Sequence, residues 1–496
     1  MTSAVRGGAA GPAGLAAIAT GLLCFLATAL LGPSAMQPAL PGSPGQPSYA
    51  LDAQPSPYLA IGLVAGGVLA GAAGLALCLY AAGRGWSYPP RRLLIAGLLT
   101  AAAFVLLPPV GSGDHLNYAA YGRMAVTGHD PYVTGARDLP GDPIADAVER
   151  PWREEPSIYG PLATAQQALA SWAGGDSVRL TVFVLSLTNA LAFTLVGLLL
   201  YRAAGGPGGR LRAVLLWTGN PLLLFHLVSG AHNDVLAIAA AVGALVVFKS
   251  GSLPRTLACG ALVGAAAAIK LPAALVGGGP AWLLCRDLAS RVGTRRKITT
   301  VLALGGAALG VAVAAYALAG AHAFDQVRRA SRSVSLATPW HLVDVALGKG
   351  AQRPVIQAGS LLLMVVLIWL LARALPQGRL ESHRIAAALV LAWLFATPYA
   401  LPWYDALGWA VLALLPWSVF DRLLLARTVA LSLAYLPARD PQVVRLPENM
   451  SWLFTVIRPT IIPWVLAATL IALAGAAVWT ARAGRPAPDL VRRPRA

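Results

Sequence analysis

A lone carboxylate just past a long apolar run is a place where protons can be exchanged beside a hydrocarbon phase. Here the run over 93–110 gives way to 111-GSGDHLNYAAYGRMAVTGHDPYV-133, and Asp114 stands a few residues beyond the boundary. A carboxylate so placed can take a proton from a sugar hydroxyl, and an adjacent apolar wall raises its pKa toward a useful value. Gly113-Asp114 ahead of HLNYAAYGRMAV also suits a helix N-cap, and the two roles are compatible. Tyr118 and Tyr121, three apart, share a helix face that Met124 and Ala125 continue. The pattern predicts a short amphipathic helix over 117–128 lying along the membrane surface, its tyrosines serving as interfacial anchors or as a substrate rim.

Other chemistry-bearing groups recur at the edges of apolar runs. His232, Asn233 and Asp234 lie in 229-SGAHNDVL-236, where Asn or Asp caps a helix and where the triplet can also contact a sugar or phosphate. Lys270 falls inside an apolar segment, where a cation is costly unless paired or solvated. It either snorkels from a helix end or meets an anionic lipid-linked substrate. Arg328, Arg329 and Arg332 in 324-FDQVRRASRSVSLATPWH-341 offer forked donors that suit a phosphate, or otherwise form a solvated, headgroup-facing surface. Trp403, Tyr404 and Asp405 share the turn 397-TPYALPWYDAL-407. An aromatic belt accounts for the first two, and a sugar-stacking platform beside an acid accounts for all three. In 152-WREEPSIYGPL-162, Glu154 and Glu155 read as solvated, and Tyr159-Gly160-Pro161 marks a re-entry turn before an apolar helix.

The elements that must hold these groups are membrane helices. The chain is 57% hydrophobic and 12% charged, about half the charge content of a soluble domain. Its composition therefore predicts an all-α polytopic membrane protein. The formal net charge of +18 would suggest nucleic acid in a soluble protein, but most arginines sit in short loops beside apolar runs, where they set orientation and favour anionic headgroups. No nucleic-acid partner is expected. Cys24, Cys78, Cys259 and Cys285 lie within or at the ends of apolar runs, without metal spacing, and read as small buried hydrophobes. The apolar run over 15–31 exceeds a signal-peptide core and predicts a retained helix.

Spans are expected near 13–32, 59–82, 93–110, 178–201, 213–230, 234–248, 298–320, 356–375, 385–400, 406–420, 423–437 and 459–480. The segment 257–285, broken by Lys270, Pro272 and Gly277-Gly278-Gly279-Pro280, predicts two short helices meeting near Lys270. That makes about 14 spans. If 257–285 crosses twice, the arginine-rich loops and the basic tail 482–496 all fall on one side, so both termini are expected in the cytoplasm. The loops 33–58, 111–177, 229–233, 321–355, 399–405 and 438–458 then face outward, and with them the candidate site. No P-loop or Rossmann fingerprint occurs, so no nucleotide cofactor is expected.

Asp114, Tyr118, Tyr121-Gly122-Arg123, Asp130-Pro131-Tyr132 and Tyr159-Gly160-Pro161, in this order, form a pattern extended by His232-Asn233-Asp234, Lys270-Leu271-Pro272 and Leu401-Pro402-Trp403-Tyr404. The pattern resembles the GT-C-type membrane glycosyltransferases, most of all the actinobacterial α-1,6-mannosyltransferases of lipomannan assembly that use polyprenyl-phosphate-mannose. The likeness runs from about residue 90 to about 410. It implies three parts: an N-terminal two-helix extension over 1–92, a catalytic membrane core over 93–420 with external loops 111–177 and 321–355, and C-terminal helices with a basic tail over 421–496. It also implies Asp114 as general base, a lipid-anchored mannan acceptor, and a substrate-binding rim that includes Tyr118, Tyr121, Arg123, Tyr132 and Tyr159. Lys270, Arg328, Arg329 and Arg332 become candidates for stabilising a departing phosphate, and a single base suggests inversion. Many superfamily members carry a second acid beside the first, where His115 stands here, so a metal requirement is left open. Transfer of arabinofuranose or modification of protein would use the same parts. A lipid-linked-sugar flippase would instead line a midplane path with charge, whereas this chain concentrates charge at one face.

Overall fold

In lipid, a backbone must satisfy its own N–H and C=O groups, and a helix does so within a single segment. The structure, a computed structural model, describes residues 9–150, 152–288, 294–325, 328, 332–376, 381–444 and 446–483. Within these residues the ordered elements are helical, apart from one isolated bridge between Ser34 and Gln37.

The main helices in chain order are α1 Ala10–Leu31, α2 Pro57–Gly83, α3 Pro90–Val105, α4 Asp114–Val126, α5 Pro161–Gly174, α6 Val178–Ala203, α7 Gly206–Leu216, α8 Asp234–Val247 and α9 Leu253–Ile269. There follow α10 Gly278–Leu288, α11 Thr294–Ala319, α12 Pro339–Ala346, α13 Arg353–Ala374, α14 Glu381–Ala396, α15 Asp405–Ala413, α16 Val419–Ala434 and α17 Ile462–Ala483. Short 3-10 and π-type turns extend several of them. The π-type turn Leu224–Ser229 carries the α7 segment onward, and another over Leu453–Ile461 leads into α17.

Every expected span coincides with a helix, and the chain is a multi-pass membrane protein. Seven helical segments are long and apolar enough to cross a membrane among the described residues. The expected number was about 14, and the difference lies in length. The other expected spans are α3, α8, α9, α10, α14, α15 and α16, which run from 9 residues in α15 to 17 in α9. At about 1.5 Å per residue they cover roughly 14–26 Å, less than a hydrocarbon core of about 30 Å. Several are sheathed by neighbours, and all nine residues of α15 are buried.

The break near Lys270 is present. α9 ends at Ile269 and a 3-10 turn runs over Leu271–Gly277 before α10. Pro272 has no N–H to donate and its ring obstructs continuation, so the helix stops just before it. The amphipathic surface helix does not appear where expected. α4 buries Leu116, Tyr118, Ala120, Tyr121 and Met124 around its circumference and packs on α5 and α6. With apolar groups on every side it is an interior helix. One large hydrophobic cluster contains residues from all three expected parts, for example Ile18, Phe193 and Leu424.

Candidate active site

α4 starts beside a four-way convergence of loops, and its first residue is Asp114. Gly113 occupies the cap position, and Asp114 is the acid of the first turn, one residue past the cap. The Asp114 backbone N–H donates to Ser112 Oγ at 3.0 Å, and 23% of the Asp114 side chain is exposed. Burial pushes its pKa up to about 6, with the Lys270 cation pulling down and the Asp234 anion pushing up.

His232 reaches this carboxylate from the turn between the Leu224–Ser229 segment and α8. Its Nδ1 lies 3.6 Å from Asp114 Oδ2 and 3.4 Å from the Tyr118 hydroxyl. The imidazole stacks on Trp403 with ring centres 3.5 Å apart and 17° between planes. Burial, and then the neighbouring His226 and Lys270, hold its pKa well below the usual value, so the ring is neutral. Tyr159 donates its hydroxyl hydrogen to the Tyr118 oxygen at 3.2 Å, and the two rings meet edge to face. Both phenols are held far above their ordinary pKa by burial first, then for Tyr118 by the charges of Asp114 and Asp234 and for Tyr159 by Tyr118 and Asp114. They stay protonated and serve as hydrogen-bonding groups.

Lys270 Nζ donates to Asp234 Oδ1 at 2.5 Å and lies 3.9 Å above the centre of the Tyr404 ring. The cation is therefore paired and also faces a π surface, so neither free snorkelling nor an isolated charge describes it. Gly160 makes this approach possible. Its N–H donates to Ile269 O at 3.0 Å, and a Cβ at that position would lie 2.2 Å from Ala268 O. Only glycine lets the Tyr159-Gly160-Pro161 turn press against the end of α9. Beside the pair, Asn233 Nδ2 and Asp234 Oδ2 are buried and have no hydrogen-bond partner among the described residues. Asn233 takes the cap position of α8 without a side-chain cap bond.

The structure thus brings together Asp114, Tyr118, Tyr159, His232, Asn233, Asp234, Lys270, Trp403 and Tyr404. Trp403 is 1% exposed and forms the wall behind His232, so it is no open stacking platform. Other expected site residues lie elsewhere. Asp405 is fully buried and pairs with Arg427 and the Thr428 hydroxyl, which excludes it from an open substrate rim. Arg123, nine residues along α4 from Asp114 and so about 14 Å away along its axis, is bound by Asp142 at 2.6 Å and Asp176 at 2.7 Å. It is a strut for the 111–177 loop. Tyr121 donates to Glu155 O at 3.0 Å. Tyr132 pairs with Thr164 at 2.9 Å beside a separate open cavity of about 600 Å³, between the 128–132 loop, α5 and the end of α11. Arg328 and Arg332 are exposed, and Arg329 lies outside the described residues.

Sequence reasoning missed Tyr435, whose ring meets Trp403 edge to face at 5.2 Å, and Glu149 and Arg439, which pair behind the Asp114 turn. An arginine in a loop expected to face outward was the available signal for Arg439. Among the described residues, no group of three or more His, Cys, Asp or Glu side chains is arranged to hold a metal.

Residues 15–286, more than half of the chain, match a family model described as "Alpha-(1->6)-mannopyranosyltransferase, N-terminal domain". Alpha-(1->6)-mannopyranosyltransferase A of Corynebacterium glutamicum is 26% identical over 334 residues, covering 61% of this chain and 66% of that protein. The protein of the same name from Mycobacterium tuberculosis is 28% identical over 331 residues, 63% of each chain. A probable alpha-(1->6)-mannopyranosyltransferase of Mycolicibacterium smegmatis is 33% identical over 145 residues, 28% of this chain and 26% of that one. The chain thus spans just under two thirds of the length of the C. glutamicum and M. tuberculosis relatives it matches. Among solved structures, ArnT from Cupriavidus metallidurans bound to undecaprenyl phosphate aligns at 16% identity and a TM-score of 0.36, covering 75% of this chain and 73% of that one.

Proposed function

Because the chain belongs to the alpha-(1->6)-mannopyranosyltransferase family, we propose that it is a GT-C-type membrane glycosyltransferase that moves mannose from polyprenyl-phosphate-mannose to a lipid-anchored α-1,6-mannan. The observation that carries this reading is the Asp114 carboxylate, open to one side and walled by neutral His232 and Tyr118. A base with a pKa of about 6 is ionised at neutral pH while still basic enough to accept a hydroxyl proton.

In the proposed reaction the acceptor hydroxyl approaches Asp114 and gives it its proton. The hydroxyl oxygen forms a bond to the anomeric carbon as the bond from that carbon to the phosphate oxygen breaks. The electron pair of the broken bond leaves on polyprenyl phosphate. A single base at Asp114, with Asp234 engaged by Lys270, fits inversion, in which a β-linked donor yields an α-linked product. Lys270, held by Asp234 and the Tyr404 ring, is the cation best placed to stabilise the leaving phosphate. Asn233 Nδ2 and Asp234 Oδ2, a donor and an acceptor without partners among the described residues, are suited to sugar hydroxyls. The site faces outward from the plasma membrane with both termini cytoplasmic, a sidedness supported by the distribution of Lys and Arg.

The test is transfer in membranes from radiolabelled polyprenyl-phosphomannose to a short α-1,6-mannan, comparing the natural chain with Asp114→Asn. Loss of a general base lowers the rate by about 10²–10⁴-fold. Full activity in a folded Asp114→Asn variant defeats the mechanism, and transfer of arabinose in place of mannose defeats the choice of sugar. A chelator arm of the same assay measures metal dependence.

A further inference from the structure

The turn that carries Asp114 is gripped from behind by a residue far along the chain. Arg439, in the segment between α16 and the Leu453–Ile461 turn, donates from Nε to Glu149 Oε1 at 2.7 Å, and its Nη2 also reaches that oxygen. Its Nη1 donates to the carbonyls of Ser34 and, at 3.1 Å, Gln37. One guanidinium thus ties together three loops, those at 33–58, 111–177 and 438–458. Both charged groups are largely enclosed, with 13% and 10% of their side chains exposed.

The grip falls directly on the catalytic turn. A Cβ at Gly113 would lie 3.0 Å from Glu149 Oε2, so the Glu149 carboxylate rests against the residue that precedes Asp114. The same turn is pinned on its other flank, where Gly111 N–H donates to Met36 O at 2.8 Å and Val110 N–H to Ser229 O at 2.9 Å. His115, just after Asp114, is fully buried. Burial and then the nearby Arg439 charge hold its pKa down to about 3. An enclosed, hydrogen-bonded ion pair is worth little as net stability, because desolvation offsets attraction, but it is costly to break and fixes geometry. That is the profile of a positioning device.

We propose that Arg439 is a positioning residue for the reaction, acting through Glu149 to hold the Gly111–Asp114 turn so that the Asp114 carboxylate meets the acceptor hydroxyl. The proposal rests on Asp114 being the base. It assigns a role to a segment beyond the residues matched by the family model, and it acts on the chemical step and not on donor binding, since Lys270 and Tyr404 are held by other contacts.

The experiment uses the full chain in nanodiscs with Arg439→Gln, Glu149→Gln and the conservative Arg439→Lys. Displacing a reacting group by about 1 Å costs on the order of 100-fold. The expected result is a 10- to 100-fold fall in kcat for the two Gln variants, donor KM within about twofold, and an intermediate kcat for Arg439→Lys. A readout independent of activity comes from Asp114→Cys. Its alkylation by a water-soluble maleimide accelerates severalfold when Arg439→Gln or Glu149→Gln is added. Unchanged kcat and unchanged labelling in folded variants overturn the proposal, as does a rise in donor KM with kcat preserved. If the natural chain transfers no mannose, the functional reading fails, while the labelling arm still decides whether the pair holds the turn.

Discussion

Lys270 and Asp234 form one ion pair, 2.5 Å between charged atoms, yet removing either one should move the pH dependence of the reaction in opposite directions. As the proposed base, Asp114 must be ionised to accept a proton, and its pKa is raised to about 6. The rate therefore falls as pH drops through about 6 and is flat above it, and kcat/KM reports the free enzyme. The Lys270 cation favours the ionised form of Asp114 and the Asp234 anion disfavours it. Lys270→Met removes the attraction and leaves Asp234 unneutralised, so the acid limb moves to higher pH. Asp234→Asn removes the repulsion and leaves Lys270 unneutralised, so the limb moves to lower pH. Unit charges roughly 10 Å apart at an effective dielectric near 20 interact by about 1.7 kcal/mol, slightly more than one pH unit. Because the Asp114 side chain keeps 23% exposure, screening trims this to about half a unit to one unit each way. The assay is initial-rate mannosyl transfer between pH 4.5 and 8.5 at constant ionic strength. The midpoints are compared independently of the absolute rates, which both variants also lower. Shifts of the same sign, or a profile flat across pH 6 in the natural chain, refute the assignment of Asp114 as the titrating base.

Two further outcomes follow from packing. Gly160→Ala places a Cβ 2.2 Å from Ala268 O, so the Tyr159 turn must back away from α9. Transfer should fall roughly 10–100-fold, with a modest loss of thermal stability read by melting in detergent. Arg212 binds Asp421 through two bonds of 2.7 and 2.9 Å, both side chains about 3% exposed. Arg212→Met strands a buried carboxylate and should cost about 3–5 kcal/mol. The double variant Arg212→Met with Asp421→Leu should recover much of that loss, measured as the shift in melting temperature.

Signals within one stretch of sequence carried most of the fold. Each apolar run became a helix, and the Pro272 break was visible because proline acts on its own neighbours. The sidedness of charge also brought Asp114, the His232–Asp234 triplet and Lys270 into one neighbourhood before any contact was known. Pairings across the chain were not legible. Asp405 looked like a companion to Trp403 and Tyr404, but an acid one residue past an aromatic pair points elsewhere on the helix, and its partner Arg427 comes from α16. Arg123 looked like a site residue for want of its partners, Asp142 and Asp176, which only folding of the loop supplies. The α4 tyrosines suggested a surface helix, because helical spacing alone cannot tell lipid from the packed faces of α5 and α6. Glu149 and Arg439 are 290 residues apart, and neither has a local sequence cue that names the other.

The stack of Trp403 on His232 also bears on biogenesis. The residues that do the proposed chemistry up to Lys270 leave the ribosome early, but the wall that seats His232 does not exist until the turn before α15 has emerged and been inserted. A nascent or truncated chain ending short of that turn has Asp114 and Lys270 without the indole on which the His232 imidazole stacks. The proposed centre is therefore incomplete until the turn that carries Trp403 is in place against His232.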